Sequence, residues 1–302
     1  MSETPPPARP FLALGLRLAS VAMLGTMAAL IKLASERDIH LLETIFWRQG
    51  LTRPMAIAWV MATSGLSTLA TRRPWAHATR GAAGATGMVL NFLSIILLPL
   101  AEATTLGFTA PIFAVFLSVM LLGEKVGPYR WMAVALGFAG VVIIAQPGDG
   151  HLPLMGAMAA MGGAMMVAVI SIQIRDMNRT EKPLAIVFWF AAFTTPIAGL
   201  FLPFVMTSHS AADWALLMVI GVVGGLGQLL LTAALRFGAV ASVVVMDYSA
   251  LFWATLYGWM FWDMLPTAAT WLGAPLIIAA GLIIAWREHR LSLSRPVQGT
   301  AG

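Results

Sequence analysis

The chain is short of cysteine, charge and histidine, and each scarcity excludes something. With no Cys among 302 residues, disulfide frameworks, Cys-ligated zinc, iron–sulfur clusters and thiol nucleophiles are ruled out. Charged residues make up 10% against 59% hydrophobic, and mean hydropathy is +0.85. A soluble domain carries about a quarter charged residues, so this chain cannot coat a water-facing globule and reads as a membrane protein. The five histidines, His40, His77, His151, His209 and His289, fall between long apolar runs without the spacing of a helical metal site. No metal or other cofactor is expected. The net charge of +5 sits on basic residues flanking apolar segments, which membrane orientation requires, so no nucleic-acid partner is expected.

A hydrocarbon core of roughly 30 Å takes about 20 apolar residues per helix. Ten stretches qualify: 11–34, 44–63, 81–100, 104–122, 127–146, 154–174, 184–206, 214–235, 239–261 and 268–286. Turn chemistry separates them, as in Arg72-Arg73-Pro74, Gly127-Pro128, Pro147-Gly148-Asp149-Gly150 and Lys182-Pro183. The first run is too long for a signal-peptide core and lacks a cleavage pattern after Pro5-Pro6-Pro7, so it counts as a span. Arg9, Arg72, Arg73, Arg80, Lys125, Arg130, Arg175, Arg179, Lys182, Arg236, Arg287, Arg290 and Arg295 gather on the side of the N-terminus, against Arg37 and Lys32 opposite. That asymmetry predicts both termini in the cytoplasm and an inner-membrane, multi-pass chain.

The spans repeat. Phe46-Trp47, Thr52 and Pro54 recur at one offset as Phe188-Trp189, Thr194 and Pro196; Gly84, Gly87 and Asn91 recur as Gly221, Gly224 and Gln228. Trp131 with Val142-Ile143-Ile144-Ala145 recurs as Trp271 with Leu282-Ile283-Ile284-Ala285. Two five-helix halves are expected: a tail over 1–10, a first repeat over 11–147, a linker over 148–153, a second repeat over 154–287 and a tail over 288–302. An odd number of spans per half turns the second upside down, the inverted repeat of alternating-access carriers, with substrate at the midplane between halves.

The stretch Leu98-Pro99-Leu100-Ala101-Glu102-Ala103, with Pro111, Leu122-Gly123-Glu124, Gly137 and Gly140, is similar to the drug/metabolite transporter superfamily, EamA type. Its second-half counterpart is Asp247-Tyr248-Ser249, Trp253-Ala254, Asp263, Pro266, Gly281 and Trp286-Arg287-Glu288. The chain departs from the pattern at Asp263, usually Glu, and at Ala250, where the first half has Pro111; lacking that proline, the ninth span is expected to run straighter than the fourth. The resemblance implies an all-α, ten-helix carrier of a small organic metabolite, with spans 1 to 4 and 6 to 9 around the cavity and no ATP hydrolysis. Relatives with similar segments move riboflavin, S-adenosylmethionine or amino acids.

Polar groups at membrane depth are the candidate site, because an ionisable side chain there costs about 2.5 to 3.5 kcal/mol. Asp247, with Tyr248 beside it, reads as a proton or cation site or the partner of a buried base; a structural ion pair is the alternative. Arg48 reads as a binder of an anionic group, as the neutraliser of Asp247, or as a side chain snorkelling outward. Asn91, Thr105, Thr109 and Gln228 are hydrogen-bonders to substrate or between helices. Trp47 and Trp253, with Phe188 and Trp189, are placed to stack on a planar ligand. Arg53 is expected to meet carbonyls freed by Pro54, Glu43 to cap a helix start, and Arg17 and Lys32 to snorkel. Met155, Met158, Met161, Met165 and Met166 read as a lipid or interhelix face before a pocket wall.

An intramembrane enzyme would need a nucleophile with a base, or paired metal ligands, at depth; no His or Cys is expected there. A passive facilitator differs from a carrier in coupling alone, to a proton or another cation. Topology reporters fused after Lys182 and Arg290 are expected to read cytoplasmic, and those after Asp38, Asp149 and His209 periplasmic. A periplasmic signal after Lys182 would remove the inverted repeat.

Overall fold

The computed structural model describes residues 10–63, 65–123, 126–146, 152–237 and 245–293. Residues 1–9 and 294–302 of the expected tails, most of the expected linker, Glu124-Lys125 and the start of the ninth span lie outside these residues; the last helix runs to Leu293, into the stretch expected as a tail. Among the described residues there is no strand. The helices are α1 (Pro10–Ser35), α2 (Leu41–Thr63), α3 (Pro74–Leu97), α4 (Leu100–Gly107), α5 (Ala110–Leu122), α6 (Pro128–Ala145), α7 (Leu154–Met177), α8 (Pro183–Val205), α9 (Ala211–Phe237), α10 (Ala250–Trp262) and α11 (Ala268–Leu293). Short 3₁₀ turns occupy Leu66–Leu69 and Val245–Ser249. Among the described residues, eight segments are long and apolar enough to cross a membrane, with α4 and α5 counted as one. The remaining two spans are α2, which carries Glu43, Arg48 and Arg53, and the ninth, whose α10 is 13 residues long.

Proline starts several of these helices, at Pro74, Pro128 and Pro183, where a missing N–H costs nothing. The fourth span breaks at Phe108-Thr109, just before Pro111, and the Thr109 hydroxyl donates to the Leu106 carbonyl at 2.6 Å. The ninth span does not run straighter. It turns as a 3₁₀ segment up to Ser249, whose hydroxyl donates to the Met246 carbonyl at 2.6 Å. Both breaks give way to a helix that ends on a left-handed residue, Gly123 (φ 62°) and Asp263 (φ 52°). Losing the proline left the break in place because the hydroxyl back-bond and the turn recur without it.

Packing carries the twofold relation. α1 packs on α9 as α7 packs on α3; α2 packs on α9 as α8 packs on α3; α7 meets α4 and α5 as α1 meets the 245–249 turn and α10. The self-paired contacts are α2 with α8, α4 with α10 and α6 with α11. Exchanging spans 1 to 5 with spans 6 to 10 maps this set onto itself, so the ten spans form two inverted five-helix repeats. Large side chains such as Phe11, Phe204 and Met120 face outward, as a lipid-solvated surface requires.

α6 and α11 cross where glycines bring backbones together: a Cβ on Gly140 would lie 2.7 Å from the Gly273 carbonyl oxygen. Gly140→Ala is expected to destabilise the protein by about 1 to 3 kcal/mol through overpacking. Gly15→Ala, with nothing within 4 Å of the added carbon, is expected to be neutral or slightly stabilising. Melting temperatures of the two variants in detergent check this; equal effects would contradict the crossing.

Candidate functional site

A cavity of about 310 Å³ lies between the halves. α1 supplies Arg17, Ser20, Val21, Leu24, Gly25 and Ala28, which recur at helical spacing along one stripe. α3 adds Asn91 and Ile95, and α4 adds Leu100, Ala103, Thr104 and Gly107, with Phe108 following at the break. The second half contributes Leu231 of α9, Asp247 of the 3₁₀ turn, and Ala250 and Ala254 of α10. α2, α7 and α8 supply none of the lining, contrary to the expectation that spans 1 to 4 and 6 to 9 all would. On the α7 side, Met161 packs against the core with its sulfur 3.9 Å from the Thr109 hydroxyl, so the hollow is one-sided. Met155, Met158 and Met165 of the same helix are exposed. A larger hollow of about 510 Å³ is a groove at the bundle end between α3 and α7, lined by residues such as Arg72, Trp75 and Gln173.

The charged feature of the cavity wall is a two-pronged ion pair. Arg17 donates from Nε to Oδ1 and from Nη2 to Oδ2 of Asp247, each at 2.5 Å, while its Nη1 is buried without a partner. Arg17 was expected to snorkel, and Arg48 was one of the partners considered for Asp247. The break in the ninth span turns Asp247 toward α1 instead, and Arg17 is 8% exposed. Ser20 donates to the Gly227 carbonyl at 2.7 Å, which ties the same stripe of α1 to α9.

Of the sequence candidates, Asn91 and Asp247 stand on this wall and the others do not. Arg48 is buried behind it, donating to Gln49 Oε1 at 2.8 Å and to the Met88 sulfur at 3.5 Å, and makes no ion pair among the described residues. Thr105 and Thr109 are buried and donate to carbonyls of their own span, at Ala101 and Leu106. Tyr248 packs its ring against Phe108, centroids 5.0 Å apart, with its hydroxyl against Gly281. Trp253 lies beside Gly25 and stacks on Tyr257 at 5.8 Å, whose hydroxyl meets that of Thr26 at 2.8 Å. Trp47 sits edge-on to Trp214 at 5.1 Å with its indole N–H unpartnered. Gln228 is partly buried on α9 away from the lining.

Other expectations change with burial. Lys32 does not snorkel; it is 8% exposed and donates to the carbonyls of Ile95, Ile96 and Leu98, capping the end of α3. Arg53 is exposed and stacks over Phe188 at 5.9 Å rather than meeting the carbonyls that Pro54 frees. Glu43, in the first turn of α2, is fully buried with Oε1 at 2.7 Å from His209. Arg80 is inside α3, stacked over Phe190 at 4.4 Å. His77 also lies within a span, fully buried beside Glu181. Sequence reasoning missed Arg17, Gly25, Ala28, Thr104 and Phe108 on the wall. The stripe of small and polar residues at 17, 20, 25 and 28 in an otherwise apolar helix was the available signal.

Comparison with known proteins agrees with this architecture. The model of the EamA-like transporter family matches twice, over residues 11–146 and 154–286. The chain is 32% identical over 249 residues to a riboflavin transporter of Rhizobium johnstonii, covering 81% of each. It is 30% identical to a pseudopaline exporter of Pseudomonas aeruginosa, covering 84% of this chain and 89% of that one. An S-adenosylmethionine uptake transporter of Rickettsia prowazekii is 26% identical, with 85% and 87% covered. A solved crystal structure shares the fold at a TM-score of 0.61 and 22% identity, over 92% of this chain and 98% of that one. Two matched repeats, the pseudo-twofold packing and the relatives together show that this chain belongs to the EamA-like transporters of the drug/metabolite superfamily.

Proposed function

We propose that the protein is an inner-membrane secondary carrier that moves a small zwitterionic metabolite through the central cavity by alternating access. The observation that carries the reading is the Arg17–Asp247 pair on a wall built from both halves. A ligand with one charge would engage one member of the pair and strand the other, at a cost of up to about 3 kcal/mol, the low end for a buried pair. A ligand bearing both a carboxylate and an ammonium exchanges one ion pair for two and strands nothing. Size points the same way: about 310 Å³ is near the lower end of the roughly 300 to 1,000 Å³ of ligand pockets. Val21, Leu24, Ile95 and Phe108 offer an apolar surface to the rest of the molecule. The aromatic lining expected of Trp47 and Trp253 is replaced by Phe108 alone. Ser20 is bound to a carbonyl, which favours transport over nucleophilic chemistry at this wall.

Thermal-shift measurements with phenylalanine, 2-phenylethylamine and 3-phenylpropanoate test the reading, since the three share an apolar body and differ in charge. A ligand that binds only the folded state stabilises it, and the zwitterion is expected to do so more than either singly charged analogue. Asp247→Asn is expected to remove that preference and to cost up to about 3 kcal/mol, the low end for a buried pair, because the Asp247 side chain is 32% exposed. Adding Arg17→Gln restores stability without restoring binding. A singly charged analogue that stabilises as strongly as phenylalanine overturns the zwitterion reading.

A further inference from the structure

Away from the central cavity, α3 and α7 part toward the end of the bundle where α1 begins. They meet closely at Gly87, where an added Cβ would lie 3.0 Å from the Cβ of Met166. About 18 Å along α3 from there, at 1.5 Å per residue, Trp75 borders a groove of about 510 Å³ between the same two helices. The groove is larger than the central cavity and shares no lining residue with it.

Its polar groups divide into those already engaged and those that are not. Arg73, at the start of α3, donates to Asp176 at 2.7 Å and to the Thr180 hydroxyl at 3.3 Å, so the charges of Arg73 and Asp176 answer one another. Arg72 makes no ion pair among the described residues; its backbone amide donates to Glu181 while its side chain stands exposed at the rim. On the α7 wall, Oε1 of Gln173 is buried without a donor, a costly state for a polar atom. The groove thus holds one unanswered positive charge and one unanswered acceptor. Apolar surface accompanies them: Ala76 and Met177 line the groove, and Trp75 is 82% exposed. Tryptophans at the ends of spans sit at the level of the lipid headgroups. The rim therefore faces headgroups, and the apolar wall faces the first carbons of the acyl chains.

We propose that this groove is a binding site for an anionic phospholipid with a hydroxylated headgroup, of the phosphatidylglycerol type. The phosphodiester engages the Arg72 guanidinium through a charge-assisted hydrogen bond, a headgroup hydroxyl donates to Gln173 Oε1, and the chains start along Trp75, Ala76 and Met177. One net negative charge matches one unpaired guanidinium. Phosphatidylethanolamine brings an ammonium as well, which is met only by drawing Asp176 away from Arg73. Phosphatidylcholine has no headgroup hydrogen to give Gln173. A phosphate ester free in water leaves the apolar wall uncovered. Because α3 belongs to the first half and α7 to the second, the bound lipid bridges the two halves at this end of the bundle.

Native mass spectrometry of the detergent-purified protein reads the affinity for the first molecule bound. The titrants are phosphatidylglycerol, phosphatidylethanolamine, phosphatidylcholine and glycerophosphoglycerol, which is the phosphatidylglycerol headgroup without its chains. Phosphatidylglycerol is expected to bind about tenfold or more tighter than phosphatidylcholine, the worth of a hydrogen bond to a charged group, and glycerophosphoglycerol far more weakly. Arg72→Gln is expected to abolish that advantage; the side chain is exposed and unpaired, so the variant keeps the fold. Arg175→Gln removes an exposed arginine at the same end that does not line the groove, and should leave the advantage in place. Equal losses in the two variants would show a general attraction to basic residues and overturn the site. Phosphatidylglycerol binding no tighter than phosphatidylcholine, phosphatidylethanolamine binding as tightly, or glycerophosphoglycerol matching the intact lipid would each overturn it as well.

Discussion

A peptide group that loses its helical partner inside a bilayer must find another within the protein, because lipid offers none. The fourth and ninth spans both break at mid-membrane, and the architecture around them follows from that requirement. Each break is closed by a hydroxyl donating three residues back, from Thr109 and from Ser249. The rings of Phe108 and Tyr248 meet where the breaks face one another. The breaks also leave room: Gly107, Phe108, Asp247 and Ala250 all border the central cavity. Irregular backbone and ligand space are thus one feature, as expected where interrupted helices line a midplane site.

Buried charges serve helix ends as well as the cavity. Lys32 gathers the last carbonyls of α3, where a cation complements the negative end of the helix dipole. Glu102, fully buried, accepts from the Thr267 amide and the Thr270 hydroxyl at the start of α11, where a carboxylate complements the positive end. Glu36 accepts from the Trp262 indole, and Lys32 lies over that ring at 5.8 Å, so α1, α3 and α10 are tied together at one end. Among the described residues these contacts are not repeated symmetrically, and the cavity is likewise lined by α1 without its counterpart α7. Pseudosymmetry sets the frame, and such side chains make the two faces unequal in this conformation.

The spans and the repeat were legible because hydropathy and span length are local and because Phe46-Trp47, Thr52 and Pro54 survive as copies in the second half. Boundaries shifted where polar residues are buried: α3 begins at Pro74, taking in His77 and Arg80, which in sequence resemble loop. Depth alone could not name partners. Arg48 is buried and Asp247 stands on the cavity wall, yet the direction of Asp247 depends on a 3₁₀ turn that was not expected with Ala250 in the proline position. Arg17 and Lys32 lie close enough to helix ends to snorkel, and only tertiary packing turns them inward. The His–Glu pairs join residues more than 100 positions apart, a distance at which no single-sequence pattern operates.

The central claim is that one cavity, bordered by both halves, is exposed to each side of the membrane in turn. Thr104→Cys places a single thiol on that wall in a chain with none of its own. Membrane-impermeant maleimide applied separately to right-side-out and inside-out vesicles measures which side reaches it. The account predicts labelling from both sides, slowed from both by phenylalanine. Labelling from one side only, unaffected by ligand, would contradict it.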